Sequence, residues 1–223
     1  MKASRRVLIV DDHPIVRQGL RRMIDLEPDL AVCGEAQGER EARAAIRDLE
    51  PDVAIVDISL GQGDGLELVR NVHAQHPALP MLVLSMHDEL IYAERLLAAG
   101  ARGYIMKQAA SEQLLVALRK VLDGEIYMSE AVSAIVGQGR PGSSASAVGS
   151  DPIGRLSNRE LQVLNLIGRG QSSREAAEAL GLSVKTVETH RQSLKRKLNL
   201  ATNAQLVQYA INWYTSRSKP EST

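Results

Sequence analysis

A two-domain chain is predicted: a doubly wound α/β domain built on a five-stranded parallel sheet, followed by an all-helical domain of four helices. Three observations carry this reading. Short runs rich in Val, Ile and Leu recur five times, each separated from the next by a stretch of helical spacing, the pattern of parallel strands with crossover helices. Residues 137–152 are rich in Gly, Ser and Pro, have almost nothing to bury, and mark a flexible linker. The charge divides at the same place. Residues 1–150 hold 16 Lys and Arg against 21 Asp and Glu, and residues 151–223 hold 11 against 6. The zero net charge therefore conceals an acidic half joined to a basic one.

The first strand is Arg6-Val7-Leu8-Ile9-Val10. Pro14 suits the first turn of the helix that follows, where its missing N–H does no harm. That helix carries Ile15, Val16, Leu20, Met23 and Ile24 at helical spacing. Leu30 to Cys33 is the second strand and Glu39 to Leu49 the second helix. Val53 to Asp57 is the third strand, an apolar run that ends abruptly in a carboxylate, as a central strand buried on both faces does. Leu66, Leu68, Val69 and Val72 mark a third helix, ended by Pro77. Met81 to Ser85 is the fourth strand, with a helix after it around Ile91 to Ala99. Gly103 to Lys107 is the fifth, and a closing helix runs from Ser111, its expected N-cap, to Asp123.

Several classes of protein are disfavoured. No apolar run approaches the ~18 residues that cross a bilayer. The basic start is followed by only the four apolar residues Val7 to Val10 before Asp11. A secretory signal needs a longer run, so a cytoplasmic chain is expected. The single Cys33 excludes an internal disulfide and a cysteine-rich zinc site, and reads as a small buried hydrophobe.

In a doubly wound sheet the residues after the strands converge on one edge, where such folds place their ligands. Here they are Asp11 and Asp12 after the first strand, Asp57 at the end of the third, Ser85 after the fourth and Lys107 after the fifth. Each has a plain alternative: Asp57 or Asp12 as a cap, Ser85 as a loop hydroxyl, Lys107 as a solvated charge. Together, three carboxylates in one cleft suit Mg²⁺, which takes a few hard oxygens plus waters. Without a cation they would repel one another.

This constellation resembles the receiver domain of two-component response regulators, a flavodoxin-like fold, over roughly residues 5–124. The resemblance implies that Asp57 is the phosphoacceptor, served by a sensor histidine kinase. It implies Mg²⁺ held by Asp11, Asp12, Asp57 and the backbone carbonyl of Ser59. Lys107 would pair with the phosphoryl group, Ser85 would donate its hydroxyl to it, and Tyr104 would be the aromatic whose rotamer follows Ser85. One departure stands out: the family often reads Met-Pro where this chain has Leu60-Gly61, although Gly65 keeps its place. A dinucleotide-binding reading of Gly61 and Gly63 fails, because the third glycine would fall at Leu66 and the loop follows the third strand. A haloacid-dehalogenase-type phosphatase would need an acid where Ser59 stands.

The basic half begins with Ser157 and Glu160, the spacing of a capping box, and Gly168 and Gly170 end that helix. Ser172 to Glu175 opens a second helix, Gly181-Leu182-Ser183 is a tight turn, and a third runs from Val184 to Leu198. Helix, short Gly-containing turn and helix make a helix-turn-helix. On the third helix Val187, Leu194 and Leu198 form an inward stripe. Lys185, Glu188, Thr189, Gln192 and Arg196 lie opposite, with Thr186, His190, Ser193 and Lys197 on a flank. Polar side chains toward a groove, with hydroxyls and cations at its edges, are what a base-reading helix needs.

Arg159-Glu160, Ser172 to Ala177 and Ser183 to His190 closely resemble the DNA-binding domain of the LuxR/NarL type. That implies base recognition by Lys185, Glu188, Thr189 and Gln192, with phosphate contacts from Thr186, His190 and Arg191. It also implies a fourth helix, Gln205 to Ile211, used for dimerisation through Gln205, Leu206 and Tyr209. The expected layout is a receiver at 1–128, a linker helix and flexible linker at 129–152, the DNA-binding domain at 153–217 and a disordered tail at 218–223. The chain thus reads as a NarL/FixJ-type transcription regulator whose phosphorylation controls dimerisation and binding to double-stranded promoter DNA. RNA polymerase is a further partner and no membrane is involved. Two rivals are an unphosphorylated receiver serving as a dimerisation module, and an enzyme acting on a small phosphorylated substrate.

Overall fold

The computed structural model describes residues 4–60, 65–86, 89–129, 133 and 152–218. The glycine-rich loop 61–64, nearly all of the expected helix and linker at 129–152, and residues 219–223 lie outside the described residues. The chain divides into two units, residues 1–140 and 141–223.

Strands β1 (Arg5–Val10), β2 (Leu30–Ala36), β3 (Val53–Asp57), β4 (Met81–Ser85) and β5 (Gly103–Met106) form one sheet. Their order is β2-β1-β3-β4-β5, and every neighbouring pair is parallel. Because β1 connects outward to β2 and β3 returns on its other side, a crevice opens between the carboxyl ends of β1 and β3. Helices α1 (Pro14–Asp25), α2 (Glu39–Leu49), α3 (Gly65–Gln75), α4 (Glu89–Ala98) and α5 (Ala110–Leu122) make the crossovers and the closing element.

Strand periodicity sorts the core. Val7, Ile9, Val53, Ile55, Leu82, Leu84 and Ile105 pack on one face with Leu20 and Ile24 of α1 and with Leu114, Leu118 and Val121 of α5. The alternate residues, among them Leu8, Ala54, Val56 and Val83, are equally buried, as are Leu68, Val69 and Val72 of α3. Each of the Val, Leu and Ile side chains contributes ~1.5–3 kcal/mol on burial. This two-sided burial is why the strands read as continuous apolar runs.

Three local expectations need correction. Ile15 is 84% exposed, because it stands about half a turn around α1 from Ile24. β5 ends at Met106, and Lys107 opens a 3-10 turn over Lys107–Ala109 that runs directly into α5. The helix therefore starts before Ser111, and the N-cap position falls to Ala109 without a side-chain bond. Cys33 is only partly buried, its thiol 3.4 Å from the Val7 carbonyl.

The second unit holds α6 (Asn158–Gly168), α7 (Ser173–Leu180), α8 (Val184–Lys197) and α9 (Asn203–Ser218). Complete capping boxes start α6 at Ser157 and α7 at Ser172, and Ser183 caps α8 through the Thr186 N–H. Gly181 ends α7 at φ 62°, a left-handed conformation that glycine adopts without penalty. Gly168 lets α9 approach α6: a Cβ there would stand 2.6 Å from the Ala210 carbonyl oxygen. α9 outruns its expected core, Gln205 to Ile211. Tyr214 lies under the Arg169 guanidinium, 5.6 Å from its ring centre, and Trp213 is half-buried, so the added turns have something to pack against.

Candidate functional site

Asp11 follows β1, Asp57 ends β3, and Lys107 follows β5. Parallel pairing puts all three at the carboxyl edge of the sheet. Lys107 Nζ donates to Asp11 Oδ2 at 2.6 Å and to Asp57 Oδ2 at 2.8 Å. The Lys107 side chain is 10% exposed, and the two carboxylates are buried. The second oxygens are also occupied: Asp57 Oδ1 accepts the Ser59 N–H at 3.0 Å, and Asp11 Oδ1 accepts the His13 N–H at 2.8 Å. The His13 ring nitrogen Nδ1 lies 3.1 Å from Asp11 Oδ1 and 2.8 Å from Asp12 Oδ1.

Burial pushes the Asp57 carboxyl above its ordinary range, against the opposing pull of Lys107 and the Ser59 N–H. Burial alone would lower Lys107, but the Asp57 charge and the bonds to Asp11 and Asp57 outweigh it and hold the ammonium more firmly protonated. A cation is thus already demanded between these carboxylates. Asp11, Asp12, His13 and Asp57 each present a ligand atom within 4.8 Å of the others. The carboxylates of this group would hold Mg²⁺, which takes a few hard oxygen ligands and completes its shell with waters. Oxygen donors fit Mg²⁺, whereas imidazole suits softer metals. His13 therefore fits better as a partner of the carboxylates than as a ligand.

Gly65, where α3 starts, shapes the floor of the cleft. A Cβ on it would stand 2.5 Å from both the Asp57 carbonyl oxygen and the Ile58 Cα, which explains the glycine beyond the loop. Ser85 at the end of β4 and Tyr104 in β5 are both buried.

On α8, Val187 and Leu194 are fully buried and Leu198 nearly so, while Lys185, Thr189, Gln192 and Arg196 are exposed. Glu160 of α6 anchors the helix. It accepts from Ser193 Oγ at 2.7 Å, from Lys197 Nζ at 2.7 Å and from its own cap, the Ser157 N–H, at 2.7 Å. Burial would raise the Glu160 carboxyl, but those three bonds and the Lys197 charge bring it below its ordinary value. Burial lowers His190, helped by the Arg159 charge and opposed by Glu160, which favours a neutral ring.

Two family matches divide the chain as the two units do. Residues 7–119 match the response regulator receiver domain and residues 154–210 the bacterial regulatory proteins of the luxR family. The chain belongs to the luxR-type response regulators. Among its relatives is the oxygen regulatory protein NreC of Staphylococcus epidermidis, 36% identical over 212 residues, covering 92% of this chain and 96% of that protein. NreC of Staphylococcus carnosus is 36% identical over 210 residues, with the same coverage. Among solved structures, RcsB of Salmonella enterica serovar Typhimurium, bound to promoter rprA with phosphomimetic BeF3-, is similar at a TM-score of 0.58 and 29% identity. That match covers 93% of this chain and 98% of RcsB. A structure of two RcsB dimers on two parallel DNAs is similar at a TM-score of 0.55 and 27% identity, over 97% of this chain and all of that one.

A luxR-type response regulator is a DNA-binding transcription regulator and not an enzyme in the ordinary sense. No described helix of this one is long and apolar enough to cross a membrane. Leu206, expected on the dimer surface, is fully buried in the single chain. Gln205 is exposed, but its side-chain oxygen accepts the Ala201 and Thr202 N–H groups at 2.7 and 3.1 Å, capping α9. Tyr209 is half-buried. Ser193 and Lys197, read as a flank of the DNA face, are committed to Glu160. Glu188 accepts from Ser173 Oγ and lies 3.7 Å from Arg191, whose side chain is only 11% exposed. The sequence reading placed Glu160 in the capping box but not in its bonds to Ser193 and Lys197, and it gave His13 no role although that residue directly follows the paired aspartates.

Proposed function

We propose that Asp57 accepts a phosphoryl group from a sensor histidine kinase and that this switches binding of the regulator to promoter DNA. The observation that carries the reading is the Lys107 ammonium held within hydrogen-bond reach of both Asp11 and Asp57. A carboxylate oxygen of Asp57 attacks phosphorus on the kinase phosphohistidine. The O–P bond forms as the N–P bond breaks, and the imidazole nitrogen leaves with the electron pair. Asp11, Asp12, Asp57 and the Ser59 carbonyl would hold Mg²⁺, which supplies charge neutralisation at the transferring oxygens. Lys107 turns from Asp57 to the phosphoryl oxygens as a point charge. The same chemistry allows self-phosphorylation from a small phosphodonor and slow hydrolysis.

The new group adds ~1.5–2 negative charges. Ser85 donates to it, and the space this opens is taken by Tyr104, biasing α4 and β5. In the helical domain Lys185, Glu188, Thr189 and Gln192 read base edges, while Thr186, His190 and Arg191 approach phosphates. Exposed Gln205 and half-buried Tyr209 of α9 meet a second copy on adjacent half-sites, and RNA polymerase is the downstream partner in the cytoplasm. A coupling of ~1–3 kcal/mol gives a 5–150-fold change in affinity.

The test is incubation with a small phosphodonor and Mg²⁺, followed by DNA titration. Wild type should gain one hydroxylamine-sensitive acyl phosphate per chain and bind DNA more tightly. Asp57→Ala should do neither, and equal labelling of both proteins would overturn the proposal.

A further inference from the structure

We infer that Arg17 is a positioning residue for the cation site, an inference that rests on the Mg²⁺ reading of the cleft. Arg17 stands on the inward stripe of α1, three residues before Leu20 and seven before Ile24, where the helix otherwise presents apolar side chains to the sheet. Its side chain is 9% exposed. An arginine is placed so deeply only where its donors are matched. Nη1 donates to the backbone carbonyl of Asp11 at 2.7 Å, and Nε donates to Glu35 Oε2 at 3.2 Å. Glu35 of β2 accepts from Arg21 Nε as well, at 2.6 Å. The Arg21 bond, and behind it that of Arg17, keep the Glu35 carboxyl below its ordinary range against the effect of its burial.

The arrangement holds the backbone of one residue, Asp11, through both of its peptide groups. The Asp11 N–H donates to the Ala36 carbonyl at 3.1 Å, and the Asp11 carbonyl receives the guanidinium. The Val10–Asp11 peptide is therefore held from β2 and the Asp11–Asp12 peptide by Arg17 from α1, both from outside the cleft. The two planes that meet at the Asp11 Cα set the direction in which its carboxylate leaves the chain, and the second also carries the backbone into Asp12. A bond between Arg17 and Glu35 orients the fork, and a fixed fork aims better than a rotating ammonium. Partners that orient metal ligands from behind are worth 10–100-fold in metal affinity when removed. Arg17 occupies that place without touching the ion.

Arg17→Met separates positioning from packing. Methionine keeps an unbranched apolar stem on the Leu20–Ile24 stripe, and Glu35 keeps its bond to Arg21. The reading is Mg²⁺ affinity of the full-length chain by titration calorimetry without any phosphodonor, beside the unfolding midpoint in metal-free buffer. Arg17→Met should weaken Mg²⁺ binding by roughly 10–100-fold while the unfolding midpoint shows the chain still folded at the titration temperature. Arg17→Lys, which keeps the charge and loses the fork, should fall between it and wild type, and Glu35→Gln should weaken binding less. Unchanged Mg²⁺ affinity in folded Arg17→Met overturns the inference. If that variant does not fold, wild-type affinity in Arg17→Lys does so. Wild-type chain that binds no Mg²⁺ at all would remove the cation reading itself, a failure distinguishable from one confined to Arg17.

Discussion

In the cleft, Asp11 and Asp57 are buried and meet Lys107 across 96 and 50 residues of chain. On α8, Lys185, Thr189, Gln192 and Arg196 lie within one helix and face solvent. The first site gathers groups from three strand ends and withdraws them from water. The second displays groups from one element, and its buried charge, Glu160, sits behind the display. The difference follows from what each domain contacts. A small anion is held by a few matched groups whose interaction strengthens as water is excluded. A duplex is read by many exposed groups across a wide groove, so only their scaffold needs burial.

This contrast predicts that single substitutions act more severely in the cleft. Lys107→Met leaves two buried carboxylates facing each other, and removing one partner of a buried pair costs ~3–5 kcal/mol. Urea unfolding in metal-free buffer should show this loss in far-UV dichroism of the α/β domain. Trp213, the single tryptophan, should report an unchanged helical domain. Gly65→Ala comes next. The contacts that a Cβ would meet are backbone, so overpacking by ~1–3 kcal/mol should accompany slower phosphoryl labelling of Asp57. A wild-type labelling rate would show that the α3 start yields without moving Asp57.

Effects in the helical domain should be smaller. Ser157→Ala removes one cap and should lower its stability by ~1 kcal/mol, read by Trp213 fluorescence. Glu160 adds a pH dependence. Its folded-state pKa lies below its ordinary value of 4.5, so its stabilising contribution is complete above that value and is lost as pH falls through the folded pKa. Acid unfolding followed by Trp213 should therefore shift to higher pH in Glu160→Gln. The smallest change should come from His190→Ala at neutral pH. A neutral ring releases no counterions, so the salt dependence of DNA binding should keep its slope, whereas Arg191→Ala, which removes a cation at a phosphate, should reduce that slope by ~1.

Periodicity and composition were enough to place the five strands, their helices, the capped starts of α6, α7 and α8, and the strand-end residues Asp11, Asp57 and Lys107. These are properties of local chain geometry: a period of two or 3.6, a cap three residues from its partner, an apolar run ending in a charge. Tertiary packing decided what depends on neighbours distant in sequence. It put Arg17 on an apolar stripe because the Asp11 carbonyl and Glu35 were there to receive it. It turned Ile15 outward, began the closing helix ahead of Ser111 and buried Leu206. It also assigned Ser193 and Lys197 to Glu160. Helical spacing states which side chains share a face, but only the packed neighbours determine whether that face meets water, another helix or a buried carboxylate.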